Sequence, residues 1–324
     1  MANMDFPIGR LRLALFLSLV FFFPSACGAD EPRRQIAVTI DDLPGVKTGG
    51  DRAADAVRVS ADIVGILKEH GIPAVGFVNA GRSFPDDPEA TRKVLKIWTD
   101  AGMELGNHTA RHSSLHQMSV ADFKTDVREG LALLQGLLDS DAKPVRYFRY
   151  PCLHTGRSIE IRGEVEALLQ ELHLRNAPVT FDNGEWIFAA AYHKAVIVGD
   201  GKTKRKIVKT YLDYMGRKLA YFEDQSRKLL GREMPQIMLI HANRLNADHL
   251  DRFLAMLKRR SYRFVSLETV LKDEAFLLPD TFTGRGGISS LHRWAYSKGV
   301  GKAFFAGEPE VPEEILKLAG VDSE

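Results

Sequence analysis

From residue 35 to residue 272 the chain alternates short apolar runs with longer amphipathic ones, and this alternation narrows the possible folds more than any other feature. Residues 35–40 are rich in β-branched side chains, and Gln236–His241 is apolar until its last residue. Continuous apolar runs of this kind suit strands buried on both faces, as in a parallel sheet covered by helices. Further strands are expected at Ala74–Val78, 103–106, 147–150, 177–181 and 262–266. Helices are expected at Ala53–Glu69, 89–101, from Ser119 onward, and at 158–172, 186–194, 204–230, 247–259 and 267–272. Asp51 is placed to cap the first of these, and Gly71 follows its end. Ser119 with Asp122 three residues on resembles a capping box. The pattern predicts an α/β fold, and its six or seven βα units fit a distorted (β/α) barrel of seven strands better than an open sheet.

The ends of the chain break the pattern. Pro279 and the turn-rich run 283–287 mark residues 275–324 as a C-terminal extension packed on the barrel. At the other end, Arg10 and Arg12 accompany an apolar run over residues 11–23, and Pro24, Ser25, Ala26 and Gly28 follow. That reads as a signal peptide, residues 1–29, and as a chain exported to the periplasm or secreted. The run is shorter than the roughly 20 residues that span a bilayer, and no later segment is apolar enough to cross one. The catalytic domain is accordingly expected over residues 30–274. With only Cys27 and Cys152 there is no disulfide framework. Cys27 would carry a lipid only if cleavage made it the new N-terminus. Lys plus Arg number 44 against 42 for Asp plus Glu, a balance that argues against a nucleic-acid partner held by bulk charge. The basic run 202–209 is read as a solvated helix start.

In parallel βα architectures, functional groups gather at the carboxyl ends of the strands. Asp41-Asp42 follows the first strand, and Asn107-His108 follows the third with His112 four residues later. Arg149, Asp182 and His241 close three other strands, so five strand ends carry this chemistry. The i, i+4 spacing of His108 and His112 puts two imidazoles on one face if the segment turns helically. With one carboxylate they make a three-ligand metal site that leaves room for water. Adjacent Asp41 and Asp42 would hold different positions, so that one ligates while the other takes a proton.

These segments resemble the polysaccharide deacetylases, carbohydrate esterase family four, which includes chitin and peptidoglycan deacetylases. Thr39-Ile40-Asp41-Asp42 is similar to the family's first motif, and Gly106-Asn107-His108-Thr109-Ala110-Arg111-His112 matches the second in full. Phe148-Arg149-Tyr150-Pro151, Asp182-Asn183-Gly184-Glu185-Trp186 and Leu239-Ile240-His241 resemble the third, fourth and fifth, in the family's order. The resemblance implies that Asp42, His108 and His112 bind one divalent ion, usually zinc, with cobalt or nickel tolerated. It implies Asp41 as the base on metal-bound water, Arg149 as its partner, and His241 as the acid that protonates the leaving amine. Glu185 or Asp182 would tune His241. Trp186, Tyr150 and Cys152 would line the pocket, and a backbone N–H near Cys152 would bind the oxyanion. The implied reaction is removal of N-acetyl groups from amino sugars of a poly- or oligosaccharide.

Two positions depart from the motifs. Leu43 stands where the family has glycine, and after Arg149 the chain has Tyr150-Pro151-Cys152-Leu153 where its relatives usually show Pro-Pro-aromatic-Gly. Both departures are expected to alter pocket shape, which leaves ester, formamide or cyclic imide hydrolysis open on the same scaffold. A non-catalytic carbohydrate-binding protein is the alternative from another class. His116 and His154 are expected at the rim or surface, outside the ligand set, and Trp294 is expected to pack within the extension.

Overall fold

The structure is a computed structural model that describes residues 1–3, 34–45, 53–82, 84 and 86–323. All but the first three residues of the expected signal peptide lie outside the described residues, as do Cys27 and Asp51.

Seven strands form one sheet: β1 (Gln35–Leu43), β2 (Ala74–Val78), β3 (Glu104–Asn107), β4 (Tyr147–Phe148), β5 (Arg175–Asn176), β6 (Gln236–His241) and β7 (Arg263–Phe264). They run in the order β5-β4-β3-β2-β1-β6, with β7 paired to the first residues of β1, and every pairing is parallel. Parallel pairing demands long crossovers. These are supplied by α1 (Ala53–Glu69), α2 (Ala90–Asp100), α3 (Val120–Leu137), α4 (Ile159–Glu171), α5 (Glu185–Ile197), α6 (Gly201–Leu230) and α7 (Arg244–Arg259). The distorted barrel read from the alternation is present. Residues 177–181 are not the regular strand expected there, because Pro178 has no N–H to give a ladder. They close the curl instead: the Thr180 and Phe181 amides both donate to Ile237 O, at 3.1 and 3.0 Å, and Phe181 bridges to Met238.

Local signals explain the helix starts. Ser119 Oγ accepts from the Asp122 amide at 3.1 Å, the N-cap half of the box expected from sequence, while the Asp122 carboxylate accepts from the Ser119 hydroxyl at 2.6 Å. Ser158 and Asn243 cap α4 and α7 by accepting from Ile161 and Asn246 amides.

The two-residue period of β1 divides its side chains. Ile36, Val38 and Ile40 pack outward against the helices, in one cluster with Ile63, Leu67 and Leu250. Ala37 packs inward with Val75, Phe77, Tyr147 and Ile237. Thr39 and Asp41 share that inward face, which sets a buried polar pair in the barrel interior.

Beyond α8 (Leu267–Val270) come α9 (Ser290–Ser297) and α10 (Glu313–Ala319), which pack on α6 and α5 respectively. Trp294 is buried edge-on against Phe276. Among the described residues no helix is long and apolar enough to cross a membrane.

Candidate metal centre

Asp42 sits at the end of β1 with φ of 68°, a left-handed turn that points its side chain away from the alternation Asp41 obeys. Leu43 then returns to the core with no exposed surface. A Cβ added at Gly76 would overlap the Leu43 Cδ1 methyl, so glycine on β2 makes the space Leu43 fills. The expectation that Leu43 reshapes the pocket is therefore corrected: its bulk is absorbed by the core.

His108 and His112 converge without a helix. They lie on the loop after β3, where Thr109 (φ 63°) and His112 (φ 59°) are both left-handed. Asn107 Oδ1 accepts from the Thr109 amide at 3.0 Å, and Asn79 Nδ2 donates to His108 O at 2.5 Å. The loop lies flat on α3 because residue 130 is glycine, where an added Cβ would come within 2.6 Å of the Thr109 carbonyl carbon. The helical-turn expectation is thus replaced by a loop pinned from both sides.

The two imidazoles meet edge to face, centroids 5.0 Å apart. His108 Nδ1 faces Arg149 O at 2.8 Å. A carbonyl only accepts, so Nδ1 carries the proton and the Nε2 lone pair is left for a ligand. His108 Nε2 and His112 Nε2 lie 3.9 and 3.5 Å from Asp42 Oδ1. Burial lowers both histidines to about 4, so both are neutral, as metal ligands must be. Burial alone would raise Asp42, but the positive charge that His112, His241 and His108 carry when protonated, together with that of Arg82, outweighs it and holds the carboxylate low. Asp42 Oδ1 is buried with no hydrogen-bond partner among the described residues. Asp42, His108 and His112 bring one donor atom each to within 4.8 Å of one another, and no other such cluster occurs among the described residues. An orphaned carboxylate oxygen facing two imidazole lone pairs fits a divalent cation with nitrogen and oxygen ligands.

Two further pairs flank this trio. Arg149 is wholly buried; its Nη1 donates to Asp41 Oδ1 at 3.0 Å and to Thr39 Oγ1 at 2.8 Å, and its Nε to Ala177 O at 3.0 Å. Its guanidinium also lies 4.4 Å over the Phe77 ring. Burial raises the Asp41 carboxylate above its ordinary value, with Arg149 the chief opposing charge. On the other side, His241 Nδ1 donates to Glu185 Oε2 at 2.8 Å. Glu185 is wholly buried, and its second oxygen accepts from Asn243 and Asn246 at 2.5 and 2.8 Å. Burial alone would lower His241, but Glu185 and the nearby Asp42 and Asp41 raise it to about 9.

The other sequence-derived residues are placed as follows. Of the two carboxylates considered for His241, Glu185 is the partner; Asp182 accepts from the Asn183 amide at 2.9 Å and acts on Arg149 through its charge. Trp186 is 41% exposed on the first turn of α5. Tyr150, expected in the pocket, is 3% exposed, packs with Phe123 and Phe148, and lines a small cavity with Leu153, Thr155 and Arg293. Cys152 and Leu153 are both left-handed, each with φ of 55°. Without glycine such a conformation costs roughly 1–2 kcal/mol per residue. Burial and the Asp42 charge both raise the Cys152 thiol. His116 and His154 stack 4.0 Å apart, His154 bonded to Ser114 and His116 to Arg285 O, outside the ligand trio. A cleft opens between α1 and the segments after β1 and β6, lined among others by Gly45, Ala56, Val59, Phe84, Asn243 and Arg244.

Thr39, Asn243 and Asn246 were not singled out from sequence. Thr39 was available, since it lies two residues before Asp41 on the same strand face. Asn243 caps α7, and the hold of both asparagines on Glu185 depends on the approach of two distant segments.

Residues 28–168 match the family model described as polysaccharide deacetylase. That stretch carries Asp41, Asp42, His108, His112 and Arg149. The resemblance to the polysaccharide deacetylases holds. One solved structure supports the fold. The chitin deacetylase of the fungal pathogen Colletotrichum lindemuthianum is similar with a TM-score of 0.50 and 20% identity, over 74% of this chain and 88% of that one. A family 4 carbohydrate esterase from Bacillus anthracis gives 0.45 and 18%, over 74% and 83%. A CE4 family pseudoenzyme from Bacillus anthracis gives 0.47 and 17%, over 74% and 66%. No curated protein matches the chain. The His241–Glu185 pair lies beyond the stretch matched by the polysaccharide deacetylase model, and only the fold brings it to the trio.

Proposed function

We propose that this polysaccharide-deacetylase-like chain is an exported, metal-dependent hydrolase that removes N-acetyl groups from the amino sugars of a poly- or oligosaccharide. The observation that carries the reading is the trio Asp42, His108 and His112, flanked by a buried carboxylate paired with arginine and a buried imidazole paired with a carboxylate. The trio would hold one divalent ion, zinc by its ligand chemistry, and such an ion supplies Lewis-acid polarisation of a carbonyl and acidification of water.

The chain's own groups divide the proton transfers. Asp41 takes the proton of the attacking water; burial strengthens it as a base, and Arg149 with Thr39 fixes its orientation. His241 is kept protonated by Glu185 and delivers its Nε2 proton to the departing amine nitrogen. The left-handed turn at Cys152 presents a backbone N–H for the oxyanion. Trp186 and the cleft beside Asn243 offer surface to the sugar.

The test is metal content together with acetate release from a panel of acetylated glycans, for wild type and His108→Ala. About one zinc per chain, with release abolished in the variant, is the expected outcome. Bound zinc without release would move the reading to another acyl bond. Neither zinc nor release, after metal is added back, would leave a carbohydrate-binding protein.

A further inference from the structure

The C-terminal extension meets three of the loops that build the site. His116, on the loop that carries His112, donates from Nδ1 to Arg285 O at 3.2 Å. Ser289 Oγ donates to Thr180 O, and the Ser290 amide to Val179 O, both at 2.7 Å, on the segment that closes the barrel. Between these anchors Gly287 backs directly onto the loop after Arg149. A Cβ at position 287 would fall inside the Cys152 carbonyl oxygen, 2.9 Å from its carbon and 3.1 Å from Leu153 Cβ. Arg293 Nη2 completes the contact by donating to Thr155 Oγ1 at 2.6 Å.

The residues under Gly287 are the two that most need holding. Cys152 and Leu153 are consecutive left-handed residues with side chains, and such backbone persists only where its surroundings over-determine it. On its inner side the loop is tied to the centre through Arg149 O and His108. On its outer side the partner is the extension, approaching as closely as backbone can reach backbone.

We propose that residues 285–290 clamp this loop, and that Gly287 is a positioning residue holding the Cys152 backbone in its left-handed conformation. The catalytic consequence rests on the deacetylase reading, in which the N–H of this turn serves the oxyanion. The conformational claim stands apart from it. An alanine at 287 must push the loop and extension apart. One at Gly286 meets only Ile288 Cγ2 at 3.5 Å, an ordinary contact.

The exposed Cys152 thiol reports on the loop directly. In the full chain carrying Cys27→Ser it is the one thiol present. Its labelling rate with an aromatic disulfide is measured in this parent, in Gly287→Ala and in Gly286→Ala. Labelling should speed up several-fold in Gly287→Ala and stay at the parent rate in Gly286→Ala. With zinc loaded, kcat should fall by about 10–100-fold in Gly287→Ala with KM and zinc content unchanged. Parent-like labelling in Gly287→Ala overturns the clamp, as does equal damage in both variants or a loss that tracks zinc content and melting temperature. Faster labelling in Gly287→Ala, where the parent itself releases no acetate, keeps the clamp and removes the deacetylase reading.

Discussion

Glu185, on the first turn of α5, accepts a 2.8 Å hydrogen bond from His241 at the end of β6, and both its oxygens are used by groups from the β6–α7 junction. The carboxylate has no exposure to water, so its charge acts on the imidazole nearly unscreened. The imidazole is raised to about 9 and stays protonated at neutral pH, the form a general acid requires. Activity should therefore be lost as pH rises through the His241 value. In Glu185→Gln the shape remains, the charge goes and burial prevails, so the histidine falls. The basic limb of kcat/KM should move down by about one unit or more. A limb that stays in place in the variant would mean that His241 is not the acid.

Arg149 is the most heavily committed buried cation, serving Asp41, Thr39 and Ala177 at once. Replacing it with methionine leaves Asp41 charged and unpaired in the barrel interior. The loss should be roughly 3–5 kcal/mol, as for other buried pairs broken on one side. Because Arg149 lowers Asp41, the variant's Asp41 must rise further, and the acidic limb of the pH profile should move upward. Urea unfolding and a pH–rate profile read the two effects. A change below about 1 kcal/mol, typical of an exposed pair, would contradict the burial of this one.

Metal retention should follow the two ligand histidines. Each is lowered to about 4, and a protonated imidazole cannot ligate. Bound zinc should hold steady as pH falls through the ordinary histidine range of about 6.5, then drop steeply as both rings protonate together. Chelation at neutral pH should lower the melting temperature, since the ion binds the folded chain. Equilibrium dialysis across pH measures the first, and zinc leaving near the ordinary histidine value would show exposed ligands.

The parts of the fold legible in sequence are those where local pattern and tertiary role coincide. The apolar runs of β1 and β6, the Ser119 cap and the polar strand ends were readable because each depends on neighbouring residues alone. The convergence of His108 and His112 was read as a helical turn because the spacing suits one. Two left-handed residues and a glycine on α3 are what bring them together, and positive φ at a non-glycine residue leaves no mark in a sequence. Tyr150 beside a motif arginine suggested a pocket residue; it packs in the core with Phe123 and Phe148 and also lines a small cavity with Leu153 and Arg293, a double placement that depends on the C-terminal extension arriving from far along the chain. The closing segment 177–181 was apolar enough for a strand, and Pro178 was the signal against it.

The Leu43–Gly76 contact gives a prediction that tests how Asp42 is held. Leu43 follows Asp42 directly, is fully buried, and fills the space above Gly76 between Trp98 and Leu105. An added methyl at 76 would overlap Leu43 and lie 3.1 and 3.2 Å from the Trp98 and Leu105 side chains, so it is crowded on three sides. Gly76→Ala should cost about 1–3 kcal/mol by overpacking. Leu43→Ala should cost about 2–5 kcal/mol through the void it leaves. The double variant should cost clearly less than the two together, because the new methyl occupies part of that void. A sum that is additive to within about 0.5 kcal/mol would show that the two residues do not share the space. Because Leu43 anchors the chain directly after the ligand Asp42, Gly76→Ala should also weaken zinc binding, while an overpacked site remote from the centre would leave it unchanged.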